Sequence, residues 1–268
     1  MNYSVLISLY YKETPENLDE ALRSIFTQSV ASDDVVLVED GPVGSDLENV
    51  VQKYLKNYPQ LNVVRFSENR GLGYALNDGI KVCKNELIAR MDTDDISKPF
   101  RMEKQLAIMA EHPEYDIVGA WIEEFVEDIH HILSWRKTPE LPADVHKYAR
   151  KRCPVNHVTV MFRKSSVIAA GGYQTKYFPE DYFLWVKMLQ RGCKIYNIPE
   201  SLVWVRCNRD TYLRRGGWKY ACDEAVIQWN MYRIGFLSFP RFISNLLIRF
   251  PVRIMPNFVR LLIYKMLR

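Results

Sequence analysis

Short apolar runs alternate with helical periodicities through the first hundred residues. Val5 to Tyr10 reads as a buried strand. Thr14-Pro15 then supplies an N-cap and a proline at the first helical position. Leu18, Ala21, Leu22, Ile25 and Phe26 follow at i, i+3, i+4, i+7 and i+8, one face of an amphipathic helix. A second unit pairs a strand at Val35 to Val38 with a helix opened by the capping box Ser45-Asp46-Leu47-Glu48; its apolar face is Leu47, Val50, Val51, Tyr54 and Leu55. In a third, Leu61 to Phe66 is the strand, Asn69 to Gly73 the turn, and Leu72, Ala75, Leu76, Gly79 and Ile80 the helix face. A fourth strand runs from Leu87 to Met91. Strands alternating with helices in this way predict an α/β fold whose central sheet is mostly parallel, with right-handed crossovers.

Beyond a helix at Phe100 to Glu111 the order loosens. Asp116 to Phe125 and Ile132 to Trp135 predict a smaller antiparallel extension, with Val158 to Phe162 as another strand. Glu180 to Gln190 and Lys219 to Tyr232 read as helices, and Ile195 to Ile198 and Leu202 to Arg206 as two short strands.

Composition narrows the class. A chain of 268 residues that is 48% hydrophobic builds a sizeable core, so disorder is excluded as the main state. The longest apolar region is cut by arginines and reaches no spanning length. The apolar run at the N-terminus is short and lacks a basic lead, so no signal peptide is expected. Five cysteines without a CxxC spacing indicate neither a disulfide framework nor a zinc site, and a reducing, cytoplasmic setting is the expectation. The net charge of +4 is unevenly spread: residues 237–268 hold six bases and no acid, against 30 bases and 32 acids before them.

Ligands of parallel α/β sheets sit beyond the carboxyl ends of the strands. Those ends read Tyr10-Tyr11-Lys12, Glu39-Asp40-Gly41, Glu68-Asn69-Arg70-Gly71 and Asp92-Thr93-Asp94-Asp95. On an extended segment Asp92 and Asp94 point the same way, and paired carboxylates facing a phosphate are how proteins hold Mg²⁺ or Mn²⁺. An isolated motif of this kind equally reads as a solvated turn. Asp40 suits a base or ribose as well as a turn, and Arg70 can meet phosphate beside glycines that admit close backbone approach; neither a dinucleotide fingerprint nor a P-loop is present. Gly171-Gly172-Tyr173 leads to Pro179-Glu180-Asp181-Tyr182, where acids at a helix start serve either the helix dipole or general-base chemistry. His157 is either a satisfied structural histidine or a pocket residue.

Taken in order, these elements resemble the family 2 glycosyltransferases. The matching segments are Ser4 to Tyr10, Val38-Glu39-Asp40-Gly41-Pro42, Asn69 to Asn77, Arg90-Met91-Asp92-Thr93-Asp94-Asp95, Gly171-Gly172-Tyr173 and Glu180-Asp181, spanning about residues 3 to 206. The resemblance implies the Rossmann-like nucleotide-diphospho-sugar transferase (GT-A) fold, with helices on both sheet faces. It implies that Tyr10, Tyr11, Glu13 and Asp40 hold base and ribose, that Asn69, Arg70, Thr93 and His157 join the nucleotide-sugar site, and that Asp92 and Asp94 form the DxD pair for Mn²⁺ or Mg²⁺, with Asp95 close by. Asp181 would be the catalytic base, with Glu180 beside it. Glu39 in place of a first aspartate and Pro42 where serine is common depart from the pattern. Arg214-Arg215-Gly216-Gly217-Trp218 is only a distant echo of the QxxRW signature of processive synthases, which points to single-sugar transfer.

The implied reaction is inverting transfer of one hexose, galactose or glucose first, from a UDP-sugar to a hydroxyl of a polyprenyl-diphosphate-linked saccharide in capsule, O-antigen or exopolysaccharide assembly. Residues 1–236 would be the catalytic domain, with about 1–110 the nucleotide-sugar half and 111–236 the acceptor half. In the tail, Arg249, Arg253 and Arg260 share one helical face and Phe250, Ile254, Phe258 and Leu261 another, with Pro251 and Pro256 breaking the run. Such a segment lies at a membrane interface or packs on the body; the first reading makes residues 237–268 a membrane-associating tail and the protein peripheral at the inner face of the cytoplasmic membrane. No nucleic acid is expected, because the bases alternate with aliphatics and the body is slightly acidic. The competing classes are a sugar nucleotidyltransferase, which would carry a glycine-rich basic loop after the first strand, and a non-catalytic scaffold.

Overall fold

The computed structural model describes residues 1–176, 179–207 and 216–255. The expected β-α units form. Strands β1 (Tyr3–Leu9), β2 (Asp34–Glu39), β3 (Leu61–Arg65) and β4 (Leu87–Asp92) are parallel, in the order β3-β2-β1-β4. Their crossovers are α1 (Pro15–Phe26), α2 (Ser45–Asn57) and α3 (Leu72–Val82). The two-residue β5 (Ile96–Ser97) and α4 (Arg101–Glu111) follow. Past β4 the sheet continues through β8 (Met161–Arg163), β6 (Tyr115–Phe125) and β9 (Lys194–Arg206) to β5, with β7 (Ser134–Arg136) on β6.

Side chains alternate across the sheet, as the strand period requires. Val5, Ile7 and Leu9 of β1 pack with Leu18 and Leu22 of α1, Leu47 and Val51 of α2 and Met102 of α4. Leu6, between them, faces Ala75 and Leu76 of α3 and shares its core with α5 (Pro142–Ala149), α6 (Lys164–Ala169), α7 (Tyr182–Gln190) and α8 (Trp218–Arg233). Helices therefore cover both faces. Buried on both sides, β1 and β2 read in sequence as nearly continuous apolar runs.

Several local expectations are corrected. β7 is antiparallel to β6, and β8 is antiparallel to both β4 and β6, but β9 runs parallel to β6 and so along β1–β4. Residues 194–206 are one bulged strand, because the Pro199-Glu200 interruption is absorbed as a register shift between Ala120 and Trp121. No capping box opens α2. Gly44 at φ +88° takes the cap position, and Glu48 instead holds Arg65 at 2.9 Å and Gln52 at 2.6 Å. The final helix α9 (Phe239–Ile254) passes through Pro251 without breaking.

Within its described part, the tail packs on the body. Phe236, Leu237 and Phe242 are buried, and Arg249 and Arg253 turn inward to Glu224 of α8. Those two arginines are thus held in an ion-pair cluster and not presented to a lipid surface. Arg260, Phe258 and Leu261 lie outside the described residues, as do Arg214 and Arg215 of the QxxRW-like segment.

Candidate active site

One cleft of about 2440 Å³ runs across the carboxyl ends of the parallel strands. At one side of it, β2 ends on Asp40, only 3% exposed. Its two carboxylate oxygens accept the backbone N–H groups of Arg70 at 2.7 Å and Gly71 at 2.8 Å, and Asn69 Nδ2 donates to its carbonyl at 3.0 Å. Asp40 thereby fixes the loop that starts α3. Asp40 is also among the residues that line the cleft. Arg70 projects from this loop with its guanidinium 4.8 Å from the Phe66 ring centre and 4.7 Å from that of Tyr74, and pairs with Asp78 at 3.1 Å.

Tyr10, Glu13, Asn69, Thr93 and His157 line the same cleft. Glu13 accepts from Thr93 Oγ1 at 2.9 Å, tying the end of β1 to the turn after β4. Tyr11 does not join them. It is 56% exposed and outside the cleft lining, at the outer side of the turn that Glu13 N–H closes onto the Tyr10 carbonyl at 3.1 Å.

The turn after β4 is heavily restrained. Asp92 is bound through both carboxylate oxygens by the guanidinium of Arg90, which is 2% exposed. Asp95 accepts the backbone N–H of Arg206, at the end of β9, at 2.8 Å. Asp94 is left between them. One ligand atom from each of Asp92, Asp94 and Asp95 lies within 4.8 Å of the others. Burial, together with the neighbouring charges of Asp92 and Glu13, pushes the Asp94 carboxyl up to about 7. Asp95 is raised as well, by burial and by Asp94. Crowded, partly desolvated carboxylates have the hard oxygen donors that Mg²⁺ or Mn²⁺ requires. These residues fit a divalent cation.

On the far wall, Asp181 caps α7 and Tyr182 opens it, two residues later than the helical pattern suggested. Glu180 and Asp181 both line the cleft, and Asp181 is 9% exposed. Cys153 Sγ lies 3.6 Å from Asp181 Oδ2. Burial pushes the Cys153 thiol up, so it stays protonated and donates to the carboxylate. Glu180 is raised to about 7 by burial and by the charge of Asp181. The segment before it is pinned by Asn77, which bonds both the N–H and the carbonyl of Tyr173 at 2.8 Å. Tyr173 meets His157 Nε2 at 3.0 Å, and burial with the nearby Arg90 charge holds the imidazole neutral.

Arg90 and Cys153 are the site residues that motif reading missed. Arg90 shares a strand face with Asp92 at i, i+2, a signal available from strand periodicity. Cys153 lies 28 residues before its partner, and no local pattern indicates it.

The family model for Glycosyl transferase family 2 matches residues 4–168. The amylovoran biosynthesis glycosyltransferase AmsE of Erwinia amylovora is 40% identical over 98% of this chain and 98% of its own. The UDP-Gal:alpha-D-GlcNAc-diphosphoundecaprenol beta-1,3-galactosyltransferase of Escherichia coli is 38% identical over 98% of this chain and 95% of its own. Among solved structures, the mannosyltransferase PcManGT of Pyrobaculum calidifontis, in complex with GDP-Man and Mn²⁺, superposes with a TM-score of 0.66 at 18% identity, covering 91% of this chain and 68% of that one. The fold is thus of the GT-A type. No helix among the described residues is long and apolar enough to cross a membrane.

Proposed function

Because this chain belongs to glycosyl transferase family 2, we propose that it is an inverting, metal-dependent hexosyltransferase that moves one galactose or glucose from a UDP-sugar to a polyprenyl-diphosphate-linked saccharide. The observation that carries this reading is that the Asp92-Asp94-Asp95 turn and the Glu180-Asp181 pair line one cleft. The E. coli relative, whose name specifies UDP-Gal and a GlcNAc-diphosphoundecaprenol acceptor, supports the donor and acceptor classes. An acceptor on a membrane-embedded carrier would put the protein at the inner face of the cytoplasmic membrane.

Tyr10 and the loop held by Asp40 take the nucleoside, with Glu13, Asn69, Thr93 and His157 shaping the site. Asp92 and Asp94 would hold Mn²⁺ or Mg²⁺, which would supply positive charge to offset that of the diphosphate leaving group. Arg70 adds a cation on the same side. Asp181 accepts the proton of the acceptor hydroxyl as its oxygen attacks the anomeric carbon opposite the diphosphate. The new C–O bond forms as the bond from the anomeric carbon to the diphosphate oxygen breaks, and UDP leaves with the electron pair. Glu180, held near neutrality, lowers the charge density beside that base. The test is a panel of UDP-, GDP- and dTDP-sugars with a synthetic GlcNAc-diphosphate-lipid acceptor. Transfer from UDP-Gal or UDP-Glc with inverted anomeric configuration is expected; transfer only from GDP- or dTDP-sugars, or with retention, overturns the reading.

A further inference from the structure

The cleft extends well past the reacting groups. Beyond Asp181 its walls come from residues 148–153 and from α8 and α9, and they carry six bases, Lys151, Arg152, Lys219, Arg241, Arg249 and Arg253, against two acids, Asp223 and Glu224. Glu224 is already engaged by Arg249 and Arg253. Among the described residues Lys151, Arg152, Lys219 and Arg241 have no ion-pair partner. This basic end adjoins the proposed base: the Arg249 guanidinium lies 5.8 Å from the ring centre of Tyr182, the residue after Asp181, and donates to the Lys151 carbonyl at 2.7 Å.

Helix α9 joins this surface to an apolar one. Arg241, Ser244, Asn245, Ile248, Arg249 and Val252 recur at spacings of three and four, so one face of the helix lines the cleft. Around the helix, Phe239, Pro240, Ile243 and Leu247 form an open, shallow apolar groove on the helix surface that also takes in Ser244 and Ile248. These two residues therefore belong to both cavities. Leu247 is 71% and Ile248 65% exposed. Exposed aliphatics continuous with a cationic cleft end match a ligand that is anionic at one point and apolar immediately after it.

We propose that the α8–α9 end of the cleft is the subsite for the diphosphate of the lipid-linked acceptor, and that the groove along α9 holds the first isoprene units attached to it. This rests on the acceptor class argued above. With the acceptor hydroxyl at Asp181, the diphosphate lies across the sugar ring from it, toward Arg249 and the unpaired bases; the chain then crosses Ser244 and Ile248 into the groove.

The test uses the full chain, a saturating donor and three acceptors bearing the same sugar: a long-chain polyprenyl diphosphate, a short alkyl diphosphate and a phosphate-free alkyl glycoside. Replacing Lys151 and Arg241 together by alanine is expected to raise KM for both diphosphate acceptors by about tenfold or more relative to the phosphate-free one, the loss of one charge-assisted contact or more. Replacing Ile243 and Leu247 together by serine is expected to raise KM for the long-chain acceptor alone. Diphosphate KM values unchanged in the first variant overturn the subsite. If the second variant lowers binding to acceptor-free anionic vesicles but leaves the long-chain KM in detergent unchanged, the groove serves the bilayer surface and the chain assignment falls. Wild-type protein that transfers to none of the three acceptors overturns the acceptor class itself, whereas wild-type transfer with insensitive variants overturns only this subsite.

Discussion

The guanidinium of Arg90 binds both carboxylate oxygens of Asp92, two residues apart on the same face of β4. The clamp sets the direction of the first acid in the DxD turn, while a backbone N–H does the same for Asp95. Asp94, the acid without such a clamp, is pushed up to about 7, and burial raises Asp95 as well. Arg90 is therefore a positioning residue for the proposed cation site. Lysine at this position keeps the charge and loses the planar two-point contact. Arg90→Lys is expected to lower transfer by about 10- to 100-fold, as for residues that orient metal ligands. Titration of activity with Mn²⁺ should show a higher half-saturating concentration; an unchanged titration would dismiss the positioning role.

Asp181 and Glu180 are adjacent but not equivalent. Asp181→Asn removes the proton acceptor and keeps shape, so transfer should fall by about 100-fold or more. UDP binding, measured by calorimetry, should stay near wild type because the nucleotide side of the cleft is untouched. Retention of more than half the activity would remove Asp181 from its role and reopen the non-catalytic scaffold.

Glu180 also makes a prediction about pH. Its folded-state carboxyl is raised to about 7 by burial and by Asp181. Between the ordinary carboxylate range and about 7 the folded chain then binds more protons at this group than the unfolded chain. Its contribution to stability must fall as pH rises through that window. Glu180→Gln removes the term. Thermal melts from about pH 5 to about pH 8 should show the variant gaining on wild type as pH rises. A constant difference between the two would contradict the assigned cause.

Gly41 lets the loops after β2 and β3 approach closely. It sits at φ +88°, and a Cβ there would lie 2.6 Å from the Asn69 backbone nitrogen. Alanine at this position is strained twice, by its own backbone and by the loop that Asp40 binds. Gly41→Ala should cost about 1–3 kcal/mol in urea unfolding, and UDP affinity should fall with it. Full affinity in a folded variant would separate this loop from the nucleotide site.

Much of this was legible in sequence where the signal is local. Consecutive β-α units announced the parallel half of the sheet, and acids at strand ends announced the cleft. Asp40, Asp92, Asp94 and Asp181 all sit on its lining. What escaped depends on partners far along the chain. The parallel pairing of β9 with β6 joins residues about 80 apart, and Pro199 disguised one strand as two. Glu48 looked like the closing acid of a capping box, but Arg65, brought alongside by β3, competes for it. The partner of Arg249 and Arg253 gave no local sign because Glu224 lies a helix earlier.

That last pairing gives the most demanding prediction for the fold. The Glu224 side chain is 4% exposed and holds two arginines, Arg253 Nε at 2.7 Å among its bonds. Burial opposes its ionisation, but Arg249 and Arg253 outweigh burial and keep its carboxyl below the usual range. Glu224→Gln would leave two guanidiniums side by side between α8 and α9 without their anion. Breaking one side of such a cluster costs about 3 kcal/mol or more, and the cost should fall on the docking of α9. Hydrogen exchange is expected to quicken across residues 239–254 while β1–β4 keep their protection. Because the carboxyl is depressed, its contribution is present above the ordinary Glu range and is lost as pH falls through the lower folded value. Acid should therefore loosen α9 in the wild type as glutamine does at neutral pH. Uniform protection of α9 in both conditions would mean that apolar packing by Phe242 and its neighbours, and not the ion-pair cluster, holds the helix.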